Sequence, residues 1–411
     1  MACRQLMSRL GHCCQLCQLC RRGRFDLWGV LLVCGLLVAC AAPQLPLATA
    51  PLLNDAVFGH PPRPAEADEA MAVDEAMRRF LRERLAGAVR DKGRPRALAE
   101  ALYLRGELKL DYDNALTRTA AQAFAARSGN CLSLVLMTAA MARELGVDVR
   151  YQAVAQVESY SRSGSMTLQA HHINLVLAPR DTRWRQYALS FEDDSDAVLI
   201  DFLPARQLRG LRGDGISEQR VLAMFMNNRG VEALQRGALA DAYAWLREAL
   251  RLDASYWPAI NSLGVVYQRA GQPALAVAAL ERVLVMAPDN LPALGNLPAA
   301  LLALGRADEA ARWTARRLAL QPHPPFHHLA LAEAALDRAD LAAARQHLAD
   351  EQALTGDSHE LFFQRARLQL AMGREGPARA ALQSAIDNSE SATQRQRYAA
   401  KLAQLRAMSA R

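Results

Sequence analysis

The chain has 411 residues, 51% hydrophobic and 22% charged, with room for more than one buried core. Its formal net charge of +7 is weighted to the front: residues 1–39 hold five of the basic side chains and one of the acidic, leaving 44 against 41 and a net of +3 beyond them. That near balance argues against a nucleic-acid partner.

Residues 1–39 read as an export signal. Arg21, Arg22 and Arg24 form a charged start, Trp28 to Ala39 is an apolar run of 12 residues, and small residues precede Cys40. The run is too short for a durable membrane span, which needs about 20 apolar residues. Leu37-Val38-Ala39-Cys40 resembles the lipobox of bacterial lipoproteins. That resemblance implies lipidation at Cys40 and a membrane partner, with each buried CH₂ contributing about 0.8 kcal/mol. Ala41 after the modified cysteine implies, in the same way, an outer-membrane anchor with the chain facing the periplasm. Cys3, Cys13, Cys14, Cys17, Cys20 and Cys34 all precede Cys40, so the exported chain keeps one free thiol, Cys131. The Cys14-x2-Cys17-x2-Cys20 spacing has no second ligand pair or histidine at finger spacing, and no metal is expected there.

After Cys40, the segment to residue 66 carries Pro43, Pro46, Pro51, Pro61, Pro62 and Pro64 with little periodicity. It reads as an extended tether with a reach of up to about 80 Å. From residue 67 the pattern turns helical, with Met71, Met77, Phe80, Leu81 and Leu85 in one candidate, Leu98, Leu102 and Leu104 in a second, and Ala120 to Ala126 in a third. After Gly129, Cys131 to Leu145 reads as a helix with a buried stripe of Leu132, Leu136, Ala139 and Ala140, closed by Gly146. The period then changes to two, first in Val149, Tyr151, Ala153 and Ala155 and again in Ile173, Leu175 and Leu177. Val198 to Ile200 is a short apolar run closed by Asp201 and Phe202. Helices followed by strands predict an α+β domain over residues 67–213.

Gly129-Asn130-Cys131-Leu132-Ser133-Leu134, followed by Ala142-Arg143-Glu144-Leu145-Gly146 and a strand, resembles the transglutaminase-like superfamily of papain-fold thiol enzymes. The resemblance covers roughly residues 95–205. It implies a papain-like fold with a nucleophilic cysteine opening a helix, a histidine on a following strand and an acidic residue on the next. The matching positions are Cys131, His172 and Asp201. The chemistry needs such a set: a free thiol has a pKa of about 8.5, and a helix N-terminus supplies at most about 2 kcal/mol toward the thiolate. An imidazolium held by a carboxylate supplies the rest.

Strand alternation places Ile173, Leu175 and Leu177 on one face with His171, and His172 with Asn174 on the other, which favours His172 over His171. Glu192, Asp193, Asp194 and Asp196 sit in a polar run and read as a solvated loop, whereas Asp201 ends an apolar strand. Crosslinking members of the superfamily carry aromatic residues where this chain has Leu132 and Asn174, so the expected reaction is hydrolysis of a peptide or amide bond, with transfer second. Asn174 and Gln152 are candidates for a polar contact to substrate or oxyanion. No cofactor and no metal is expected.

From residue 214 the organisation becomes periodic. Gly237, Gly271, Gly305 and Gly373 fall on a 34-residue lattice with Ala339 in the missing place, and Ala242, Ala276, Ala310, Ala344 and Ala378 fall on another. Together with Leu263-Gly264 and Tyr267, this resembles the tetratricopeptide repeat, with five copies over about 223–388 and a capping helix around Gln394 to Gln404. The resemblance implies an all-α solenoid whose groove takes a protein or peptide partner. His323, His327 and His328 lack a carboxylate or cysteine within ligand spacing and read as an inter-repeat turn. Trp245, Trp257 and Trp313 read as packing residues. The expected molecule is an envelope lipoprotein joining a thiol hydrolase to a repeat array. The alternative is a scaffold lipoprotein in which only the repeats act.

Overall fold

The fold is described from a computed structural model that covers residues 52–104, 110–113, 116–163, 166–179, 197–202, 213–389 and 392–409. The export signal, Cys40 and the rival acids Glu192, Asp193, Asp194 and Asp196 lie outside the described residues, as do the surroundings of the His171 side chain.

Helix α1 (Glu66–Glu69) is a single turn, and α2 (Glu75–Lys92) is capped by Asp74, whose carboxylate accepts from the Met77 N–H at 2.8 Å. Gly93, at φ +78°, ends α2 and starts α3 (Arg94–Ala99), which runs into a π-helical turn at Glu100–Leu104. Helix α4 (Ala120–Ala126) opens with a capping box between Thr119 and Gln122. Short parallel strands β1 (Asp111–Tyr112) and β2 (Ser128–Gly129) lead into α5 (Cys131–Glu144).

Every residue of α5 from Leu132 to Ala142 is buried. The expected one-sided stripe is therefore corrected to a central helix, whose side chains join a core that α2, α3, α4 and the sheet share. That sheet has the order β5-β4-β3-β6, all antiparallel, from β3 (Asp148–Ser163), β4 (Met166–Ala178), β5 (Val198–Ile200) and β6 (Asp214–Ile216). Strand β6 pairs with β3 through Tyr151 and Ile216. The hydrogen-bonded ladder thus extends past residue 213 to Ile216.

Ser217 caps α6 (Glu218–Gln235), which pairs with α7 (Leu239–Leu252). The following pairs are α8 (Trp257–Arg269) with α9 (Pro273–Met286), α10 (Leu291–Ala303) with α11 (Ala307–Leu320), and α12 (His327–Asp337) with α13 (Leu341–Thr355). The last pair is α14 (His359–Ala371) with α15 (Glu375–Asp387), followed by α16 (Ala392–Ser409). The turn positions Gly237, Gly271, Gly305, Ala339 and Gly373 all have positive φ, from 58° at Ala339 to 77° at Gly237. The alanines of the second lattice are all buried where helices meet. Within the second pair, a Cβ on Gly264 would lie 2.8 Å from Leu280 Cγ, so this crossing admits no side chain.

The repeats are not one uninterrupted core. One core runs from the front domain through Ala310, and a second begins at Leu329, with Gln321–Phe326 connecting α11 to α12 between them. Trp245 packs edge-on to Phe225 at 5.9 Å and Trp313 lies under Arg316, as expected of packing residues.

From Leu52 onward the tether reading is corrected. A 3₁₀ turn at Asp55–Phe58 stacks Phe58 on Tyr243, with ring centres 4.5 Å apart. The Tyr243 hydroxyl donates to Asp55 Oδ1 at 2.7 Å, and that of Tyr267 donates to Leu52 O at 2.7 Å while accepting from the Asn54 N–H at 3.0 Å. Arg247 donates to Asp55 and to the Pro61 carbonyl, and Arg63 pairs with Glu248. The proline-rich segment lacks periodicity because individual polar anchors, not a repeating apolar face, hold it to α7 and α8. Among the described residues no helix is long and apolar enough to cross a membrane.

Candidate active site

Cys131 is the first residue of α5, and the loop before it is built to hold it there. Asn130 caps the helix: its Oδ1 accepts from the Ser133 N–H at 2.9 Å and from Ser133 Oγ at 2.8 Å. Its amide group donates to Thr117 Oγ1 at 2.9 Å, and the Thr117 N–H donates to Glu232 Oε1 of α6 at 2.6 Å. The cap is thereby tied to the first repeat. At Gly129 a Cβ would lie 2.7 Å from Ser133 Cβ, so only glycine lets the chain turn into the helix this closely. The N–H groups of Cys131 and Leu132 have no intrahelical acceptor by their position, and the positive end of the α5 dipole lies at the sulfur.

The register of β4 with β5 sets the other two groups. Leu175 pairs with Ile200, so one step further Asn174 stands opposite Asp201, with His172 beside it on the same face. His172 Nε2 lies 2.8 Å from Asp201 Oδ1, and Asn174 Nδ2 donates to Asp201 Oδ2 at 2.8 Å. The His172 and Asp201 side chains are 5% and 2% exposed. The Cys131 side chain lies close enough to the His172 ring to favour its protonated form. Cys131 is a free and partly exposed thiol.

The structure thus joins His172 to Asp201 by a hydrogen bond and sets Cys131 near the same ring. Burial works against a charged His172 ring, but its hydrogen bonds to Asp201 and Cys131 and the charges of both outweigh burial and push the imidazole up to about 9. A ring so placed carries its proton at neutral pH. Such an arrangement can hold a sulfur anion, deliver a proton to a leaving group and take one from water.

Asn174 gives one amide hydrogen bond to Asp201, while its Oδ1 is buried without a hydrogen-bond partner. Gln152 is buried opposite Asn174 on β3, and its side chain lies across Gly213, where a Cβ would be 2.7 Å from Gln152 Cβ. Tyr103, which the sequence did not single out, meets Phe202, the residue after Asp201, edge-on at 5.4 Å, and the Tyr103 hydroxyl bonds Thr138 of α5.

The histidines of the inter-repeat turn are also not as expected. His347 and Asp350 of α13 join His328, correcting the reading that no carboxylate stands within ligand reach.

No family model matches the chain, and no curated protein matches it. Solved structures similar to it include a thermophilic TPR protein of Thermus thermophilus, 21% identical, covering 44% of this chain and 98% of that one with a TM-score of 0.30. YrrB, a TPR protein with an unusual peptide-binding site, is 19% identical over 43% of this chain and 90% of its own, with a TM-score of 0.24. PilW, a widely conserved type IV pilus biogenesis factor, is 18% identical over 44% and 92%, with a TM-score of 0.26. Overlaps this loose carry no argument about shape. The C-terminal region is a helical repeat array of tetratricopeptide type on the strength of its five helix pairs and their 34-residue lattice.

Proposed function

We propose that the protein is a thiol hydrolase of transglutaminase-like type, acting on an acyl group of a peptide or amide, with its repeat array holding a protein partner or presenting substrate. One observation carries this reading: His172 Nε2 lies 2.8 Å from Asp201 Oδ1, and Cys131, at the head of α5, is near enough to favour the protonated ring. In the proposed cycle the Cys131 thiolate attacks the acyl carbonyl. The oxyanion that forms is met by the N–H groups at the start of α5. His172 gives its proton to the leaving amine, leaving a thioester on Cys131. Water, deprotonated by His172, then attacks the thioester and releases the acid, and the sulfur recovers its imidazolium partner. Asp201 orients the ring and stabilises its charge throughout.

Cys40 is proposed as the lipidated residue, which would anchor the chain in the outer membrane facing the periplasm. A second reading, that of a scaffold lipoprotein acting through its repeats alone, is favoured by the extent of the array, which takes the chain from Glu218 to Ser409.

The thiol separates the two readings. Iodoacetamide at pH 6 is expected to label Cys131 at least tenfold faster than a free cysteine, whose thiolate fraction there is below about one in a hundred. Cys131→Ala is expected to lose that label. Labelling at the free-cysteine rate would leave only the scaffold.

A further inference from the structure

The connection between the third and fourth helix pairs carries a chemistry that the proposed thiol site does not use. His323 and His327 flank Pro324, Pro325 and Phe326, and Phe326 has a positive φ of 62° that turns the chain into α12. The His328 ring, 5.5 Å from that of His323 and 5.1 Å from that of His327, faces α13, where His347 lies 5.8 Å away. His347 and Asp350 stand three residues apart on α13 and so share one face of it. Each of His328, His347 and Asp350 offers a ligand atom within 4.8 Å of the other two.

The hydrogen bonding of this group is incomplete. Nδ1 of His328 and Nδ1 of His347 are both buried without a hydrogen-bond partner. Asp350 receives one bond, from Gln346 Nε2 to Oδ1 at 2.9 Å, while its Oδ2 stands 3.8 Å from His328 Nδ1, beyond hydrogen-bond reach. A buried polar atom left without a partner is destabilising, and this group holds two.

We propose that His328, His347 and Asp350 bind one divalent transition-metal ion of the zinc class. Two imidazole nitrogens and one carboxylate oxygen suit zinc, cobalt or nickel, and three protein ligands leave a fourth position for water beside His323. Bonds of about 2.1 Å set tetrahedral ligand separations of roughly 3.4 Å, and side-chain rotation at the partly exposed Asp350 brings the group inward to that spacing. The ion would join α12 to α13 where the buried core restarts at Leu329. The site is independent of the thiol chemistry.

The test uses the full chain with every thiol alkylated, so that no cysteine competes for metal, after treatment with a chelator. Equilibrium dialysis against zinc is expected to show one equivalent bound at micromolar free metal. Cobalt in its place should give the intense visible absorption of a tetrahedral nitrogen and oxygen site. Asp350→Asn should weaken binding about tenfold and His347→Gln more strongly, while melting of the wild type rises with zinc. Absence of binding below about 100 μM zinc, or equal binding by wild type and both variants, would overturn the site; cobalt spectra from the unsubstituted chain decide the matter even if a variant folds poorly.

Discussion

The two halves of this protein use glycine and alanine in the same way and differ in what those residues serve. In the array, Gly264 and the buried alanines at 34-residue intervals bring helices together, and a change at one pair is repeated in kind at the next. In the front domain, Gly129 does the same steric work once, and the close approach it permits fixes the start of the helix that carries Cys131. Repetition spreads a structural rule over many residues, whereas a reactive site concentrates many constraints on a few.

That contrast can be tested from its strongest consequence down. Asp201→Asn keeps the shape of the side chain but removes the charge that supports the His172 imidazolium. It is expected to slow Cys131 alkylation at pH 6 by about a hundredfold while leaving the helical circular dichroism unchanged. Loss of helicity with it would mean that Asp201 serves the fold instead.

A second consequence concerns pH. The folded His172 is raised above the usual histidine value to about 9, so its contribution to stability is fully present below about pH 6.5 and is lost as pH rises through 9. The melting temperature of the wild type should exceed that of His172→Gln by an amount that shrinks across this window. At its largest the gap corresponds to at most about 3 kcal/mol. A constant gap would show that the ring is neutral throughout.

The smallest effect compares two glycines directly. Gly264→Ala sets a methyl 2.8 Å from Leu280 Cγ and should cost about 2 kcal/mol, lowering the melting temperature without touching the alkylation rate. Gly129→Ala sets its methyl 2.7 Å from Ser133 Cβ and should lower both. If the two variants behave alike, the front domain holds its thiol no more tightly than the array holds its helices.

The features legible in the sequence were those that follow from local geometry. Thr119 and Gln122 announce α4, alternation announces β3 and β4, and the lattice from Gly237 to Gly373 announces five turns, because capping, pleat and left-handed backbone each demand particular residues nearby. The order of Cys131, His172 and Asp201 was readable, but the commitment of Asn174 to Asp201 was not, since it depends on the register between β4 and β5. Likewise His347 and Asp350 share α13, and only helix packing brings them to His328 on α12. The all-round burial of α5 was hidden because a single helix does not reveal how many layers cover it.

The docking of residues 52–63 on the first two helix pairs redraws the smallest piece of this protein that can be handled alone. A fragment beginning at residue 67 would strip Phe58 from Tyr243 and leave the phenols of Tyr243 and Tyr267 and the guanidinium of Arg247 without Asp55, Leu52 and Pro61. The wound would open in the helices, far along the sequence from the cut. For expression, crystallisation or limited proteolysis, a fragment that holds the first two helix pairs should keep residues 52–63 with them.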